Sequence, residues 1–333
     1  MTASREIRLK SRPTGTPTAD NFELASVDVP EPEAGEVQVR NLWMTVDPYM
    51  RGRMNDMKSY VPPFQLGQPL EGGAIGEVVA SDDPGFKAGD LVESSLGWRE
   101  AFTAPAAALK KLDTRGLPPQ AFLGVAGMPG LTAYAGLLRI AGLKDGDIVF
   151  VSGAAGAVGS LACQIAKARG HTVIGSAGGP RKAAFLKEIG VDQVVDYKAE
   201  PKLTAALRAA APEGIDVYFD NVGGEHLEAA LTVARPRARF SICGMISAYN
   251  ATEPSPAPRN LAFLIGKTIR MEGFLVFAHY DLQPQFLDDL SGWVKSGKVQ
   301  WRETVLEGIE RAPEAFLGLF AGENLGKMLV KLS

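Results

Sequence analysis

Cysteine and histidine are scarce in this chain. Its 333 residues include two cysteines, Cys163 and Cys243, and three histidines, His171, His226 and His279. So few thiols suit a reducing, cytoplasmic setting and leave no thiolate-rich zinc site within one chain. The histidines fall without the spacing of metal ligands, so no residue is assigned to a metal and a metal enzyme is not expected. Long apolar runs are missing too, and nothing approaches the ~20 residues of a membrane helix. The opening MTASREIRLK lacks the apolar core of a signal peptide. Nor is there an excess of one charge: a net −3 gives no electrostatic case for nucleic acid or an anionic membrane surface as partner. What remains is an ordinary globular composition, 46% apolar and 22% charged, in a chain long enough for two domains.

The most informative stretch is DIVFVSGAAGAVG, residues 147–159. Ile148-Val149-Phe150-Val151 is an apolar, β-branched run of the kind that forms a buried parallel strand. Small residues follow from Ser152 to Gly159, and then good helix formers from Ser160 to Ala168. Strand, glycine turn and helix together are the setting of a dinucleotide fingerprint. Glycine admits a pyrophosphate close to the backbone, and the helix N-terminus supplies N–H groups and a positive dipole end. A tight turn without a ligand would have the same glycines, but both flanks fit the nucleotide reading. About one helix later, His171 to Gly179 reads as the second strand and its turn. A chain that selects NAD places an acid near the end of that strand for the ribose 2′-hydroxyl. None stands there; Arg181 and Lys182 follow instead, and cations suit a 2′-phosphate. Lys182 alone would also fit a solvated helix face. With the acid missing, NADPH is the expected cofactor.

Along the chain, residues 1 to about 125 read as short alternating strands between Pro/Gly turns, a β-rich, barrel-like domain. From about Leu131 helices and strands alternate. Helices are expected over Thr132–Leu138, Ala183–Ile189, Leu203–Ala210 and Gln285–Lys295. Strands are expected over Gln193–Tyr197, Ile215–Asn221, Ala238–Gly244 and Arg270–Val276. That rhythm specifies an α/β fold with a doubly wound parallel sheet, whose ligands sit beyond the carboxyl ends of the strands. Residues 246–260 form a Pro- and Ser-rich loop, of a length that is more often functional than filler. Its Tyr249 lies just past a strand end.

Five segments, VDPYMRGRM (46–54), AAGAVG (154–159), YFDNVGG (218–224), ICGMISAYN (242–250) and GENLGK (322–327), make the chain resemble a family. It is the zinc-free medium-chain dehydrogenases/reductases, in the alkenal reductase group that includes the prostaglandin reductases and leukotriene B4 12-hydroxydehydrogenase. The resemblance implies a GroES-like β-barrel domain at 1–125, a Rossmann NADPH-binding domain at 126–298, and a return segment at 299–333 that completes the first. Zinc-dependent members carry Gly-His-Glu and a catalytic Cys in the first domain; here Pro69-Leu70-Glu71-Gly72-Gly73 stands there, with no Cys before 163.

By the same resemblance, Gly156, Ala157, Val158 and Gly159 are matched to the pyrophosphate turn. Lys182 is matched to the 2′-phosphate and Tyr197 to the adenosine end. Asn221 and the run Cys243, Gly244, Met245, Ile246, Ser247, Ala248 and Tyr249 fall on the nicotinamide side. Phe274, Leu275 and Val276 match a backbone-contact stretch, and Asn324 matches the tail residue that reaches the cofactor. Gly179-Pro180-Arg181 departs from the polar residues usual before the lysine, so any share of Arg181 in the phosphate stays open.

Such a site would pass hydride to the β carbon of an α,β-unsaturated carbonyl, and charge would build on the carbonyl oxygen. A donor must face that oxygen. Tyr249 is the first candidate and Tyr49 the second, though Tyr49 could equally line the pocket or fill the domain core. Arg51 and Arg53 are expected to pair with surface acids rather than bind a substrate carboxylate. Met44, Met50, Met54 and Met57 are expected in the core. The alternatives are a quinone reductase on the same layout and a non-catalytic NADPH-binding redox sensor. The family suggests a homodimer.

Overall fold

Alternation of apolar and polar residues through Glu36–Thr45 makes that stretch the central strand of the first unit. It pairs antiparallel with Ala74–Ser81 on one side, and with Ala101–Pro105 and Leu329–Lys331 on the other. The sheet has seven strands. Its inward residues Val37, Val39, Val78, Val92 and Phe102 form one core; Met44, Met50, Met54, Trp98 and Phe316 belong to another. Trp98 stacks on Phe22 with ring centroids 6.0 Å apart. The computed structural model describes residues 2–200 and 202–332. This unit takes in the chain up to Leu123, Glu303–Asn324 and the stretch from Met328; the second takes in Gly124–Arg302 and Leu325–Lys327.

In the second unit six strands lie in the order Gln193–Asp196, Thr172–Ala177, Ile148–Val151, Ile215–Asp220, Ala234–Ile242, Arg270–Gly273. Every pairing is parallel. Numbered along the chain within this unit, the order is 3-2-1-4-5-6, the Rossmann arrangement, and it reverses direction between the first and fourth strands. The expected α/β class is therefore the observed one. Val149, Phe150 and Val151 are fully buried, as helices on both faces require. On one face Phe150 stacks on Tyr218 at 5.1 Å.

Several boundaries differ from the expected ones for physical reasons. The first helix runs over Met128–Ala135 and continues as a π-helical turn, Gly136–Ala141, that ends at Gly142 in the left-handed region. The fifth strand begins early, at Ala234, because Ala234 pairs with Ile215 ahead of a register shift. The sixth stops at Gly273: it is the last of the sheet, and the chain turns into a 3-10 segment over Val276–Leu282. Met44, Met50 and Met54 are core residues as expected, but Met57 is 69% exposed.

Candidate active site

The sheet's reversal places the ends of strands Ile148–Val151 and Ile215–Asp220 side by side, and there two polar residues meet. Ser152 donates its hydroxyl to Asp220 Oδ1 at 3.0 Å. The same oxygen accepts the Tyr218 hydroxyl at 2.7 Å and the N–H groups of Val222 and Gly223 at 2.9 and 2.8 Å. Asp220 is fully buried. Burial pushes its carboxyl up, and the hydrogen bonds from Tyr218, Gly223, Val222 and Ser152 oppose that shift. Asn221 is held twice: its N–H donates to Ser152 Oγ and its side-chain amide to the Ser152 carbonyl. One buried carboxylate thus shapes the turn after one strand and ties it to the turn after another.

From Ser152 the chain enters the glycine turn and then the helix Ala157–Ala168, with Gly156 at its N-cap and no side chain capping it. A Cβ at Gly159 would stand 2.8 Å from Ala154 Cα, so only glycine lets the helix start this close to the turn. The first-turn N–H groups of a helix have no intrahelical acceptors. This N-terminus, uncapped and built of small residues at the sheet's reversal, fits a pyrophosphate.

The neighbouring strand, Thr172–Ala177, leads through Gly178 and Gly179 into the helix Pro180–Glu188. Lys182 sits in its first turn, partly buried. Burial and then the positive charges of Lys198 and Arg181 push its ammonium down. Asp196 turns its carboxylate to the backbone N–H groups of Gly179 and Lys198 rather than to a cation. The Tyr197 ring lies against Gly178, where a Cβ would come within 2.9 Å of it. The edge of His226 meets that ring at 5.2 Å, and burial pushes His226 down to about 4. Three cations gathered around a glycine turn favour an anion with more than one charge.

Beyond the strand Ala234–Ile242, the loop that carries Cys243 to Tyr249 is sewn to the Asp220 turn. Cys243 and Gly244 donate to the Asp220 carbonyl, Ile246 to that of Asn221, and Ser247, through N–H and hydroxyl alike, to that of Val222. Tyr249 folds its hydroxyl back toward Met245, whose N–H it accepts at 3.4 Å. The Cys243 thiol is pushed up to about 12 by burial and by Asp220, so it stays protonated and a poor nucleophile. Phe274 donates its N–H to the Ile242 carbonyl and sets its ring edge-on to Phe219; Leu275 is exposed and Val276 buried.

Of the residues singled out by sequence, those from Gly156 to Val276 share this unit, whereas Tyr49 and Asn324 belong to the other. Tyr49 precedes the short helix Met50–Arg53 and packs on that unit's core. Burial, and then Asp47, push its phenol up, so it keeps its proton. Arg51 is not at the surface: it is 3% exposed and donates to the carbonyls of Gly15 and Pro13 and to Asn55. Arg53 does pair, with Glu71 at 2.6 Å. Asp220 and Ser152 lie inside the segments YFDNVGG and DIVFVSGAAGAVG but were given no role of their own, and Lys198 and His226 had no motif to mark them; a polar pair ending an apolar strand was the one available signal. Among the described residues, no three of His, Cys, Asp and Glu gather to hold a metal.

Known proteins resemble this chain over nearly its whole length. Residues 5–112 match the family described as the N-terminal domain of oxidoreductase, and residues 157–291 the family described as zinc-binding dehydrogenase. The chain is 44% identical over 338 residues to the NADP(+)-dependent 2-alkenal reductase of Nicotiana tabacum, covering 99% of this chain and 98% of that one. It is 40% identical over 331 residues to the NADPH-dependent curcumin reductase of Escherichia coli K12, covering 98% and 96%. Among solved structures, CurA from Vibrio vulnificus in complex with NADPH superposes with a TM-score of 0.94 at 41% identity, over 99% of each chain.

Proposed function

Because the chain belongs to the zinc-free alkenal reductase group of the medium-chain dehydrogenases/reductases, we propose that it reduces the C=C bond of α,β-unsaturated aldehydes and ketones with NADPH. Most weight rests on the cluster of Lys182, Arg181 and Lys198 beside the glycine turn. A 2′-phosphate relieves the mutual repulsion of these cations, whereas a bare 2′-hydroxyl leaves it in place. In this reading Gly156 to Gly159 receive the pyrophosphate, Lys182 the 2′-phosphate and Tyr197 the adenosine end. Asn221, the loop from Cys243 to Tyr249, and Phe274 to Val276 line the nicotinamide side, and Asn324 is the tail contact. NADPH supplies the hydride when bound.

The chain's own part is to stabilise the charge that develops on the carbonyl oxygen. Tyr249 suits that task, since a phenol donates and stays protonated near neutral pH. Its bond from Met245 uses the hydroxyl as acceptor and is compatible with donation of its proton. Tyr49, equally protonated, is the second donor or a wall of the pocket. NADPH oxidation should be followed with 2-alkenals, enones and quinones, with NADH as control. Consumption with enones, giving saturated carbonyls, supports the reading. Activity with quinones alone would make the protein a quinone reductase, and bound NADPH without turnover would make it a sensor. Tyr249→Phe should lower turnover about a hundredfold or more, the usual loss for one oxyanion donor, with NADPH affinity unchanged; unchanged turnover would remove Tyr249 from this role.

We also propose a cytoplasmic homodimer. Arg270–Gly273 is the outermost strand of the sheet, all four of its residues are exposed, and Ile265 nearby in sequence is 85% exposed. Antiparallel pairing of this strand with a second copy, centred on Met271, sets Arg270 opposite Glu272 of the partner subunit and buries an edge that otherwise invites aggregation. Light scattering on a sizing column should give twice the chain mass, and Met271→Pro should halve it; a monomeric parent protein would end this proposal.

A further inference from the structure

The GENLGK segment holds a second feature besides Asn324. Gly326 donates its N–H to the Ala155 carbonyl at 2.8 Å and forms a parallel bridge with Gly156. It does so at φ +67, and a Cβ there would overlap the carbonyl oxygen of Arg302 and stand 2.8 Å from its carbonyl carbon. Positive φ and absent space each demand glycine, independently. Arg302 is in turn held in place: its carbonyl accepts the N–H of Lys327 at 3.0 Å, and its side chain pairs with Glu188. Two residues earlier, Gln300 exchanges two hydrogen bonds with the buried side chain of Gln164, in the middle of the helix Ala157–Ala168. The return segment and the tail therefore grip the fingerprint at two points, the turn at Ala155 and the helix at Gln164.

We propose that Gly326 is a positioning residue for dinucleotide binding. Its N–H fixes the Ala155–Gly156 peptide, so the uncapped helix N-terminus is held in the orientation an incoming pyrophosphate needs. The proposal rests on the NADPH reading above. A peptide plane left free to rotate would have to be ordered by the ligand, and that ordering would weaken affinity.

The test is titration of the whole protein with NADPH by fluorescence, alongside amide exchange over residues 153–160. The parent protein comes first: if it binds no NADPH, the cofactor reading fails and this proposal with it. Gly326→Ala should raise the NADPH Kd about tenfold or more and speed exchange in the turn. Gly170→Ala is the control, since Gly170 shares the positive φ (+85) but has nothing within 4 Å of its Cβ position. It should bind NADPH like the parent protein. If Gly326→Ala fails to fold, an ester in place of the Leu325–Gly326 amide, made by ligating a synthetic C-terminal segment, deletes the donor without adding an atom that clashes. It should also raise Kd. Parent-like Kd in the folded Gly326→Ala protein, or in the ester, overturns the proposal.

Discussion

Each unit contains a buried ionisable side chain that organises loops, an acid in one and a base in the other. In the nucleotide unit, Asp220 collects four donors on one oxygen: two hydroxyls and two backbone N–H groups. In the β unit, Arg51 distributes its guanidinium among the carbonyls of Gly15 and Pro13 and the side chain of Asn55. The difference follows from the backbone each must satisfy. A turn at the carboxyl ends of parallel strands presents N–H groups inward, and an acceptor gathers them. A loop crossing a helix presents carbonyls, and only a long, multi-pronged donor reaches several. Asp220 converges contacts on one atom and ties two turns together; Arg51 spreads them and staples the loop that carries Pro13 and Gly15.

Substitution of the two should break this symmetry unequally. Asp220→Ala leaves buried donors without an acceptor and should cost about 3–5 kcal/mol. Arg51→Met keeps much of the buried stem, and the freed carbonyls can turn to water, so about 2 kcal/mol is expected. Denaturant unfolding of both variants measures the ranking. Equal losses would mean that convergence on one oxygen brings no additional stability. Asp220→Asn, which keeps an acceptor oxygen, should fall between Asp220→Ala and the parent protein.

A further effect separates the units by pH. All three histidines lie within Gly124–Arg302. Burial holds His226 at about 4, against 6.5 for an ordinary histidine. Between those values the unfolded chain binds a proton that the folded chain refuses. His226 therefore leaves stability intact above pH 6.5 and lowers it as pH falls toward 4, by up to about 3 kcal/mol. His226→Gln should flatten that slope between pH 6.5 and 4. Identical acid limbs in the two proteins would show that His226 titrates normally.

Much of the nucleotide side was legible because its signals are local. The apolar run Ile148–Val151, the small residues after it and the helix formers beyond lie within about twenty residues, and each imposes its conformation through short-range sterics. The missing acid after Thr172–Ala177 was equally local. Asp220 was not legible as a hub, because Ser152 lies far away in sequence and meets it only through strand register. Arg51 misled for a different reason: a charged side chain in a short polar run looks like a surface residue until the chain wraps around it. Met57 misled in the opposite sense, since its three neighbouring methionines are core residues and periodicity is lost in the loop that follows Arg53.

The sequence by itself determined the two kinds of architecture, the glycine turn and the preference for a phosphate-bearing cofactor, because propensity, periodicity and charge act over a few residues. Tertiary structure alone decided that Asp220 and Ser152 join two turns, that Arg51 is internal and that Gly326 must be glycine. Those facts depend on atoms brought together from distant parts of the chain. At Gly326 the demand comes from a carbonyl oxygen on Arg302, and no local pattern records where that oxygen will be.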